Sequence, residues 1–311
     1  MIPPRLIALD WGTSNLRASL LGAGGACLEE RAAATGIMAV VDRQFNAALL
    51  TLCGDWLREH AVPLVASGMI GSQQGWVEAP YLQCAASLPQ AAAALTPVAV
   101  DPDDSQPART LHLVPGLRCT DADGVHDVMR GEETQIWGAD AAPGSCCVLP
   151  GTHSKWAWLD GAGRISHFLT FMTGELYALL TTHGILGRLM AFGHESEPDF
   201  SAGVRRGLSH SAQATHALFA ARTAGLMGQV APEGLPDYLS GMLIGIEVAG
   251  ALQAMPATSK PLTLIGDGAL CRRYTLALQL AGQASELAAA GAATRGQWRV
   301  AVAAGLVMDS P

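Results

Sequence analysis

The alternation of apolar and polar stretches at the start of the chain predicts an antiparallel meander. Residues 6–9 form an apolar run, residues 10–15 interrupt it with Asp-Trp-Gly-Thr-Ser-Asn, and a second apolar run follows over residues 16–20. A glycine-rich segment at residues 22–25 precedes a third short stretch that ends near residue 30. Short segments joined by tight turns of this composition are typical of β-hairpins. We therefore expect three antiparallel strands here.

The hydrophobic period then changes. Between Phe45 and His60 the apolar residues recur at helical spacing, and residues 63–67 form a short apolar run typical of a buried strand. A strand, a helix and a second strand at this spacing predict a crossover to a parallel neighbour of the first sheet. The pattern as a whole predicts an α/β fold.

The opening pattern recurs in the second half of the chain. An apolar run at residues 146–149 is followed by Pro-Gly-Thr-His-Ser-Lys at residues 150–155 and by further short strand-like runs up to residue 168. This is the element order of residues 6–30, and a recurrence at this distance predicts a duplicated domain. We place the domains at residues 1–140 and 141–311, and expect the last segment to return to the first domain.

The two recurring turns carry groups that suit a phosphate. Backbone N–H groups and the hydroxyls of Thr13 and Ser14 can donate to phosphate oxygens, and Asp10 at the strand end can hold a hydrated Mg²⁺. An ordinary hairpin with a polar turn is the alternative for either turn alone, but the recurrence at residues 150–155 favours phosphate binding. A strand over residues 261–265 that runs into Gly266-Asp267-Gly268 supplies a third glycine turn, as a nucleotide site requires.

The loop after the strand at residues 63–67 is a candidate for recognition of a hydroxyl-rich substrate. It combines amide, indole and small side chains, and ligands of open α/β sheets bind at the carboxyl ends of strands. An irregular connector is the alternative. The substrate-binding candidates in this loop are Ser67, Gly68, Met69, Gln73 and Trp76.

A pair of acids follows a glycine at the predicted start of a helix. Glu132 and Glu133 come directly after Gly131, with Arg130 before it. The helix dipole alone favours acids at this position. The functional interpretation is a general base for a substrate hydroxyl, with Arg130 near an anionic group of the substrate.

Composition narrows the class of partner. Half of the residues are hydrophobic, which suffices for a large buried core. The net charge is −8, and no basic stripe is available for a nucleic acid or an anionic membrane. No apolar run approaches the roughly 20 residues of a membrane span. The seven cysteines are scattered without a C-x-x-C spacing, which is typical of reduced thiols. We expect a cytoplasmic protein with a small-molecule substrate, and a homodimer is compatible with the sequence.

Several motifs resemble those of a known family. The three glycine turns resemble the phosphate-1, phosphate-2 and adenosine motifs of the actin-like ATPase and sugar kinase superfamily. The runs at residues 10–17, 67–72, 149–156 and 171–177 are similar to those of the 2-dehydro-3-deoxygalactonokinase family. The resemblance implies two duplicated ribonuclease-H-like domains, each a mixed sheet with flanking helices, around a central cleft. It also implies ATP and Mg²⁺ as cofactors and phosphorylation of the C6 hydroxyl of 2-dehydro-3-deoxy-D-galactonate.

The resemblance and the residue chemistry together give a set of expected site residues. Catalytic roles are expected for Asp10, which would also hold the metal, and for Glu132 and Glu133, between which the base is left open. The phosphate-2 run lacks an acid at its strand end, so the metal would rest mainly on Asp10. The residues expected to bind the nucleotide are Gly12, Thr13, Ser14, Asn15, Arg17, Gly151, Thr152, Ser154, Lys155, Gly266, Asp267 and Gly268. Arg130 completes the substrate-binding set.

Other functions on the same scaffold remain as alternatives. These are a kinase for the gluconate epimer or another sugar acid, an exopolyphosphatase-like phosphohydrolase, and an actin-like nucleotide switch. A hydrolase of a polyanion would need basic grooves, which an acidic chain does not favour. A dinucleotide-dependent oxidoreductase would need a Gly-x-Gly-x-x-Gly run opening its first helix, and none is present.

Overall fold

The structure, a computed structural model, describes residues 2–101, 107–254 and 260–308. The chain divides into two compact units. Unit 1 comprises residues 1–144, 159–167 and 289–311, and unit 2 comprises residues 145–158 and 168–288. The expected domain boundary at residue 140 stays a prediction.

The helices and strands alternate along the chain. Up to residue 144 they are β1 (Leu6–Trp11), β2 (Leu16–Leu21), β3 (Cys27–Ala33), α1 (Phe45–Glu59), β4 (Leu64–Ser67), β5 (Tyr81–Gln83), α2 (Leu88–Ala93), β6 (Thr96–Val100), β7 (Arg109–Leu113), β8 (Gly116–Thr120), β9 (His126–Met129) and α3 (Glu132–Gly138). The later elements are β10 (Cys146–Leu149), β11 (Ser154–Leu159), β12 (Ile165–Phe171), α4 (Thr173–Thr182), α5 (Glu197–Ser209), α6 (Ala214–Leu218), α7 (Ala220–Leu226), α8 (Leu235–Ala254), β13 (Leu262–Leu264), α9 (Gly268–Leu280), β14 (Ser285–Leu287) and α10 (Ala292–Ala303).

The main sheet of unit 1 has the strand order β3-β2-β1-β4-β7-β6. The first three strands pair antiparallel, as the hydrophobic pattern predicts, whereas β4 pairs parallel to both β1 and β7. The predicted helix is α1, whose buried face of Phe45, Leu49 and Trp56 packs in the core against apolar residues of the sheet. Helix α1, which the spacing of these apolar residues predicts, is therefore part of the crossover connection that leads to β4, the parallel neighbour of β1.

Unit 2 repeats this topology. Its sheet has the order β12-β11-β10-β13-β14, with β10 antiparallel to β11 and parallel to β13. The third, second, first and fourth strands therefore follow each other in both main sheets, and the duplication predicted from the recurring hairpin is confirmed. Trp156, Phe200, Ile244 and Tyr274 lie in the core of this unit.

Helix α8 packs closely on α5 through glycines. A Cβ atom on Gly241 would lie 2.0 Å from the carbonyl oxygen of Phe200, and one on Gly245 would lie 2.4 Å from that of Val204. Only glycine allows backbones to approach so closely, so the Gly-x-x-x-Gly spacing serves helix packing. By length and composition α8 could cross a membrane, but 67% of its most apolar window is buried, as in the core helix of a globular unit.

Helix α10 fixes the helix that carries the acid pair. Arg295 donates to the carbonyl oxygen of Gly138 at 2.9 Å, and Arg299 donates to that of Trp137 at 2.6 Å. These carbonyls belong to the last turn of α3, where a helix leaves its own acceptors unpaired. Cationic side chains at that end also complement the helix dipole, so α10 holds α3 in place within unit 1.

Candidate functional site

The turn between β1 and β2, turn 1 (residues 12–15), exposes its donor groups. The carbonyl oxygens of Gly12, Thr13 and Ser14 accept hydrogen bonds from the N–H groups of Ile37, Met38 and Gly36. In the described part of the chain, the N–H groups of Thr13 and Ser14 have no backbone acceptor, and both residues are exposed. With its carbonyls bonded behind it, the turn presents N–H and hydroxyl groups to solvent, which suits an anion.

Asp10 lies at the end of β1, beside turn 1. It pairs across the hairpin with Arg17, whose guanidinium lies 3.5 Å from the carboxylate. Burial raises the pKa of Asp10, and the charge of Arg17 opposes part of that increase. The Asp10 side chain keeps 27% of its surface exposed, so the carboxylate remains accessible to a ligand.

Gly68 brings the end of β4 against the end of β1. Its φ is +96°, and a Cβ atom there would lie 2.8 Å from the carbonyl oxygen of Trp11 and 3.5 Å from an oxygen of Asp10. An L-residue with a side chain could adopt neither this backbone nor this contact without displacement. The preceding Ser67 is buried, and its hydroxyl accepts from Gln297 at 2.8 Å.

Gly131 in turn places the acid pair against Gly68. Its φ is +107°, and a Cβ atom on it would lie 3.0 Å from the Cα of Gly68. Asp10, Gly68 and the turn before α3 are therefore consecutive neighbours within unit 1. Gly68 thus lies next to both the candidate metal ligand and the turn that precedes the candidate base pair, although more than 120 residues separate Asp10 from that pair in sequence.

The two acids of the pair have different environments. Glu133 is fully buried, and its carboxyl accepts hydrogen bonds from the Gly131 N–H at 2.7 Å and from the Thr134 hydroxyl at 2.9 Å. Burial, and then the neighbouring Glu132 carboxylate, raises the pKa of Glu133 to about 8. Glu132 is partly exposed and accepts from the backbone N–H of Arg130 at 3.0 Å. Of the two, Glu132 is the carboxylate that a ligand can reach.

Arg130 is a buried cation with unused donors. Only 7% of the residue is exposed, and its guanidinium lies 4.3 Å from the centre of the Tyr81 ring. One nitrogen donates to the carbonyl oxygen of Ala79 at 2.7 Å. Within the described residues, neither Nε nor Nη1 has a hydrogen-bond partner. Unpaired buried donors are costly, which makes Arg130 a candidate for binding an anionic group.

The candidate recognition loop after β4 is partly ordered by packing. Trp76 stacks on Phe45 with ring centres 6.1 Å apart, and Arg43 donates to the carbonyl oxygens of Gly75 and Trp76. Gln73 is exposed and Met69 is partly buried. Among the candidate residues of this loop, Gln73 is therefore the one whose side chain is exposed to a ligand.

The turn between β10 and β11, turn 2 (residues 150–153), is held by the start of α4. The Glu175 N–H donates to the carbonyl oxygen of Thr152 at 3.1 Å, and the Glu175 carboxylate is hydrogen-bonded to the imidazole of His153. A Cβ atom on Gly174 would lie 2.6 Å from the carbonyl oxygen of Gly151. Thr152 and His153 are exposed, so turn 2 also presents its groups to solvent.

The two expected nucleotide ligands that follow turn 2 are buried. Ser154 is 0% exposed, and its hydroxyl is hydrogen-bonded to the Tyr274 hydroxyl at 2.8 Å. Lys155 is 5% exposed and donates to the Thr170 hydroxyl at 2.6 Å. These hydrogen bonds lie within unit 2 and indicate that Ser154 and Lys155 support turn 2. Direct contact of either residue with a nucleotide stays a prediction.

A cavity of about 570 Å³ opens beside turn 2. Turn 2, the first residues of α4, the middle of α8 and the start of α9 line it. Its volume is in the range of small-molecule sites, about 300–1,000 Å³. Gly266 and Gly268 flank Asp267, which lines the cavity and caps α9 by accepting from the N–H groups of Ala269 and Leu270. The third glycine turn therefore borders the cavity, and the Asp267 carboxylate is the N-terminal cap of α9.

Sequence reasoning missed the polar residues that support these groups. Glu247 on α8 accepts hydrogen bonds from Trp156, Thr173 and Tyr274. Gln297 on α10 links Ser67 to the carbonyl oxygen of Leu9. The available signal was Glu247, the one acid in the apolar run between Tyr238 and Leu252. The pattern could not identify its partners.

Each unit thus has the ribonuclease-H-like strand order, with a donor-rich turn after its first strand. Two such units in one chain define the actin-like ATPase and sugar kinase class. A model of the 2-keto-3-deoxy-galactonokinase family matches residues 10–300. The chain belongs to this family. It is 39% identical over 279 residues to 2-dehydro-3-deoxygalactonokinase of Escherichia coli K12, a match that covers 89% of this chain and 90% of that protein.

Solved structures agree with this assignment. One from Sinorhizobium meliloti, provisionally described as a 2-dehydro-3-deoxygalactonokinase, matches with a TM-score of 0.83 and 35% identity, over 96% of this chain and 98% of that one. A xylulose kinase from Lactobacillus acidophilus matches with a TM-score of 0.51 and 12% identity, over 98% of this chain and 90% of that one. The second likeness concerns the fold alone.

The raised pKa of Glu133 predicts a pH dependence of stability. In the folded chain this carboxyl keeps its proton up to about pH 8, whereas in the unfolded chain it loses the proton near its usual value of 4.5. Raising the pH from 5 to 8 therefore favours the unfolded chain, by up to about 1.4 kcal/mol per pH unit. Glu133→Gln, whose amide can accept from Gly131 and donate to Thr134, removes this contribution.

The measurement is urea unfolding of the wild type and Glu133→Gln at pH 5 and pH 8. The stability of the wild type relative to the variant should fall as the pH rises. Equal pH dependence in the two proteins would show that Glu133 does not carry a raised pKa.

Proposed function

We propose that the chain transfers the γ-phosphoryl group of ATP to the terminal C6 hydroxyl of 2-dehydro-3-deoxy-D-galactonate, giving the 6-phosphate. Membership of the 2-keto-3-deoxy-galactonokinase family supports a kinase with an alcohol acceptor. The observation that carries the proposal is the group of neighbours in unit 1. There Asp10 lies beside a donor-rich turn, and Gly131, which precedes the partly exposed Glu132, packs against Gly68 next to Asp10.

Each repeated turn, taken within its own unit, offers groups that would bind phosphate. In unit 1 the N–H groups and hydroxyls of turn 1 would donate to phosphate oxygens, with Arg17 offsetting their charge. In unit 2 Gly151 and Thr152 would do the same from turn 2, and the cavity beside it would take the adenosine. Ser154 and Lys155, which are buried, would hold turn 2 in shape. Donors fixed before the reaction stabilise charge without having to reorganise.

Asp10 would hold the Mg²⁺. Among the described residues, no three or more His, Cys, Asp or Glu side chains cluster as a metal site. One carboxylate together with substrate phosphates and water is the usual coordination of Mg²⁺ in kinases, so an accessible Asp10 beside turn 1 fits. When bound, the metal would neutralise charge on the phosphates.

Glu132 would act as the general base. A base must reach the hydroxyl that it deprotonates and must itself be ionised. Glu132 meets the first requirement because it is partly exposed, whereas both carboxyl oxygens of Glu133 are bonded internally. Glu133 would instead fix the conformation of Gly131, and its retained proton would spare the turn a second negative charge.

Arg130 would bind the carboxylate of the sugar acid. Its buried guanidinium has two nitrogens without a partner in the described part of the chain. A carboxylate that reached them would form charge-assisted hydrogen bonds in a site with little water. This would favour a sugar acid over a neutral sugar. Gln73, with Trp76 and Met69 beside it, would contact the substrate hydroxyls, whereas Ser67 and Gly68 would shape the site from behind.

The assay that tests the function is ADP release with Mg-ATP against a panel of acceptors. The panel contains 2-dehydro-3-deoxygalactonate, its gluconate epimer, the parent aldonates, common hexoses and no acceptor. The expected result is turnover with the first compound and little with neutral hexoses. Equal turnover of the two epimers would keep the kinase and contradict the galactonate assignment. ADP release independent of any acceptor would contradict the kinase.

Replacement of Arg130 tests the proposed carboxylate contact. Arg130→Met should raise the KM for the sugar acid about 10- to 150-fold, the range of a charged hydrogen-bond pair. The KM for ATP should stay unchanged. Arg118→Met is the matched control, because Arg118 is exposed and donates to Gln83 on the neighbouring strand. Equal KM values for the acid in both variants would remove Arg130 from substrate binding.

A further inference from the structure

A buried carboxyl on α8 joins the parts of unit 2 that border the cavity. Glu247 is 1% exposed. Its Oε1 accepts from the indole N–H of Trp156 at 2.9 Å, and its Oε2 accepts from the hydroxyls of Thr173 and of Tyr274, the latter at 2.7 Å. These donors belong to β11, to the start of α4 and to α9. One side chain therefore fixes three elements to a fourth.

Two of the three partners of Glu247 line the cavity, but Glu247 does not. Thr173 and Tyr274 both border it, and turn 2 lies at its edge. A carboxyl behind the lining cannot touch a ligand there. It can act on the ligand only through the side chains that it holds. This contact pattern differs from that of an ordinary core acid, which would be paired with a cation.

The network continues from Glu247 to the backbone of turn 2. Because the Tyr274 hydroxyl donates its single proton to Glu247, the Ser154 hydroxyl must donate to Tyr274 at 2.8 Å. The Ser154 oxygen is then available to accept from the Gly151 N–H, at a longer distance of 3.4 Å. The acceptor character of Glu247 thus sets the direction of each hydrogen bond up to turn 2.

We propose that Glu247 is a positioning residue of the nucleotide site, acting through Thr173, Tyr274 and Ser154. This inference rests on the proposed use of ATP. Turn 2 has no acid of its own at the end of β10, and α8 supplies one from behind. Burial raises the pKa of Glu247, and the hydrogen bonds from its three donors oppose that shift. The ionised form of the carboxyl is therefore stabilised by all three donors. A buried polar network of this kind is rigid when every member is satisfied.

Glu247→Gln is the most direct test. The amide keeps an oxygen for Trp156 but offers NH₂ where two hydroxyls now donate, so both of those bonds must reverse. Tyr274 would then donate to Ser154, and the Ser154 proton would point at a carbonyl oxygen of turn 2. We expect the Kd for ADP and the KM for ATP to rise about tenfold, the cost of one to two hydrogen bonds. The KM for the sugar acid should stay within twofold.

Two further variants each remove one of the hydroxyls that donate to Glu247. Tyr274→Phe keeps the ring and removes the hydroxyl between Glu247 and Ser154. Thr173→Val removes one donor, and Thr263→Val is its matched control. Thr263 is a buried threonine of β13 in the same unit whose hydroxyl donates to Glu286 at 3.3 Å, away from the cavity. Thr173→Val and Thr263→Val should lose similar stability, but only Thr173→Val should weaken ADP binding.

The experiment is isothermal titration of the full chain with ADP, with no acceptor present, followed by both KM values and thermal unfolding. A selective loss of ADP affinity in Glu247→Gln, Tyr274→Phe and Thr173→Val supports the proposal, and the last two carry the test if Glu247→Gln does not fold. If the wild type binds ADP and these variants bind it equally tightly, the positioning role is wrong. If the wild type does not bind ADP, the proposed function fails and this inference with it.

Discussion

The backbone contact between Gly68 and Gly131 is the constraint on which the site in unit 1 depends. Each glycine has a positive φ. A Cβ atom on Gly68 would lie 2.8 Å from the carbonyl oxygen of Trp11, and one on Gly131 would lie 3.0 Å from the Cα of Gly68. Their approach carries the turn before α3 to the ends of β1 and β4, where Asp10 lies. Helix α10 reinforces this arrangement from behind, through Gln297 on β1 and β4 and through Arg295 and Arg299 on α3. Because the contact is made by backbone, it fixes the turn that precedes the acid pair without the use of a side chain.

Unit 2 achieves the same end with buried polar groups. Its turn is held by α4 and, through Tyr274 and Ser154, by the carboxyl of Glu247. Removing a carboxyl from water is expensive unless donors replace the water, and here three donors do so. Two of these donors, Thr173 and Tyr274, also line the cavity of unit 2. The two halves of the duplication therefore keep the same hairpin but position the groups around it by different means, close glycine packing in unit 1 and a hydrogen-bonded carboxyl in unit 2.

The sequence predicted the features that depend on local periodicity. The hairpins, the helix from Phe45, the parallel strand that follows it and the repeat of the whole pattern are all confirmed, since each reflects a spacing of two or 3.6 residues. The roles of single polar residues were not predictable in this way. Glu247 and Gln297 contact partners tens to hundreds of residues away, and no spacing encodes such contacts. The difference between Glu132 and Glu133 is one of burial, which depends on how α3 packs against α10.

The central claim is that the accessible acid of this pair takes the proton from the substrate hydroxyl. The most direct test is the kcat of Glu132→Gln with Mg-ATP and 2-dehydro-3-deoxygalactonate, measured together with its affinity for ADP. Loss of a general base predicts a fall in kcat of about 10²- to 10⁴-fold, with ADP affinity unchanged because Glu132 is not one of the groups proposed to bind the nucleotide. A kcat within tenfold of the wild type would contradict the account and return the role of base to Glu133.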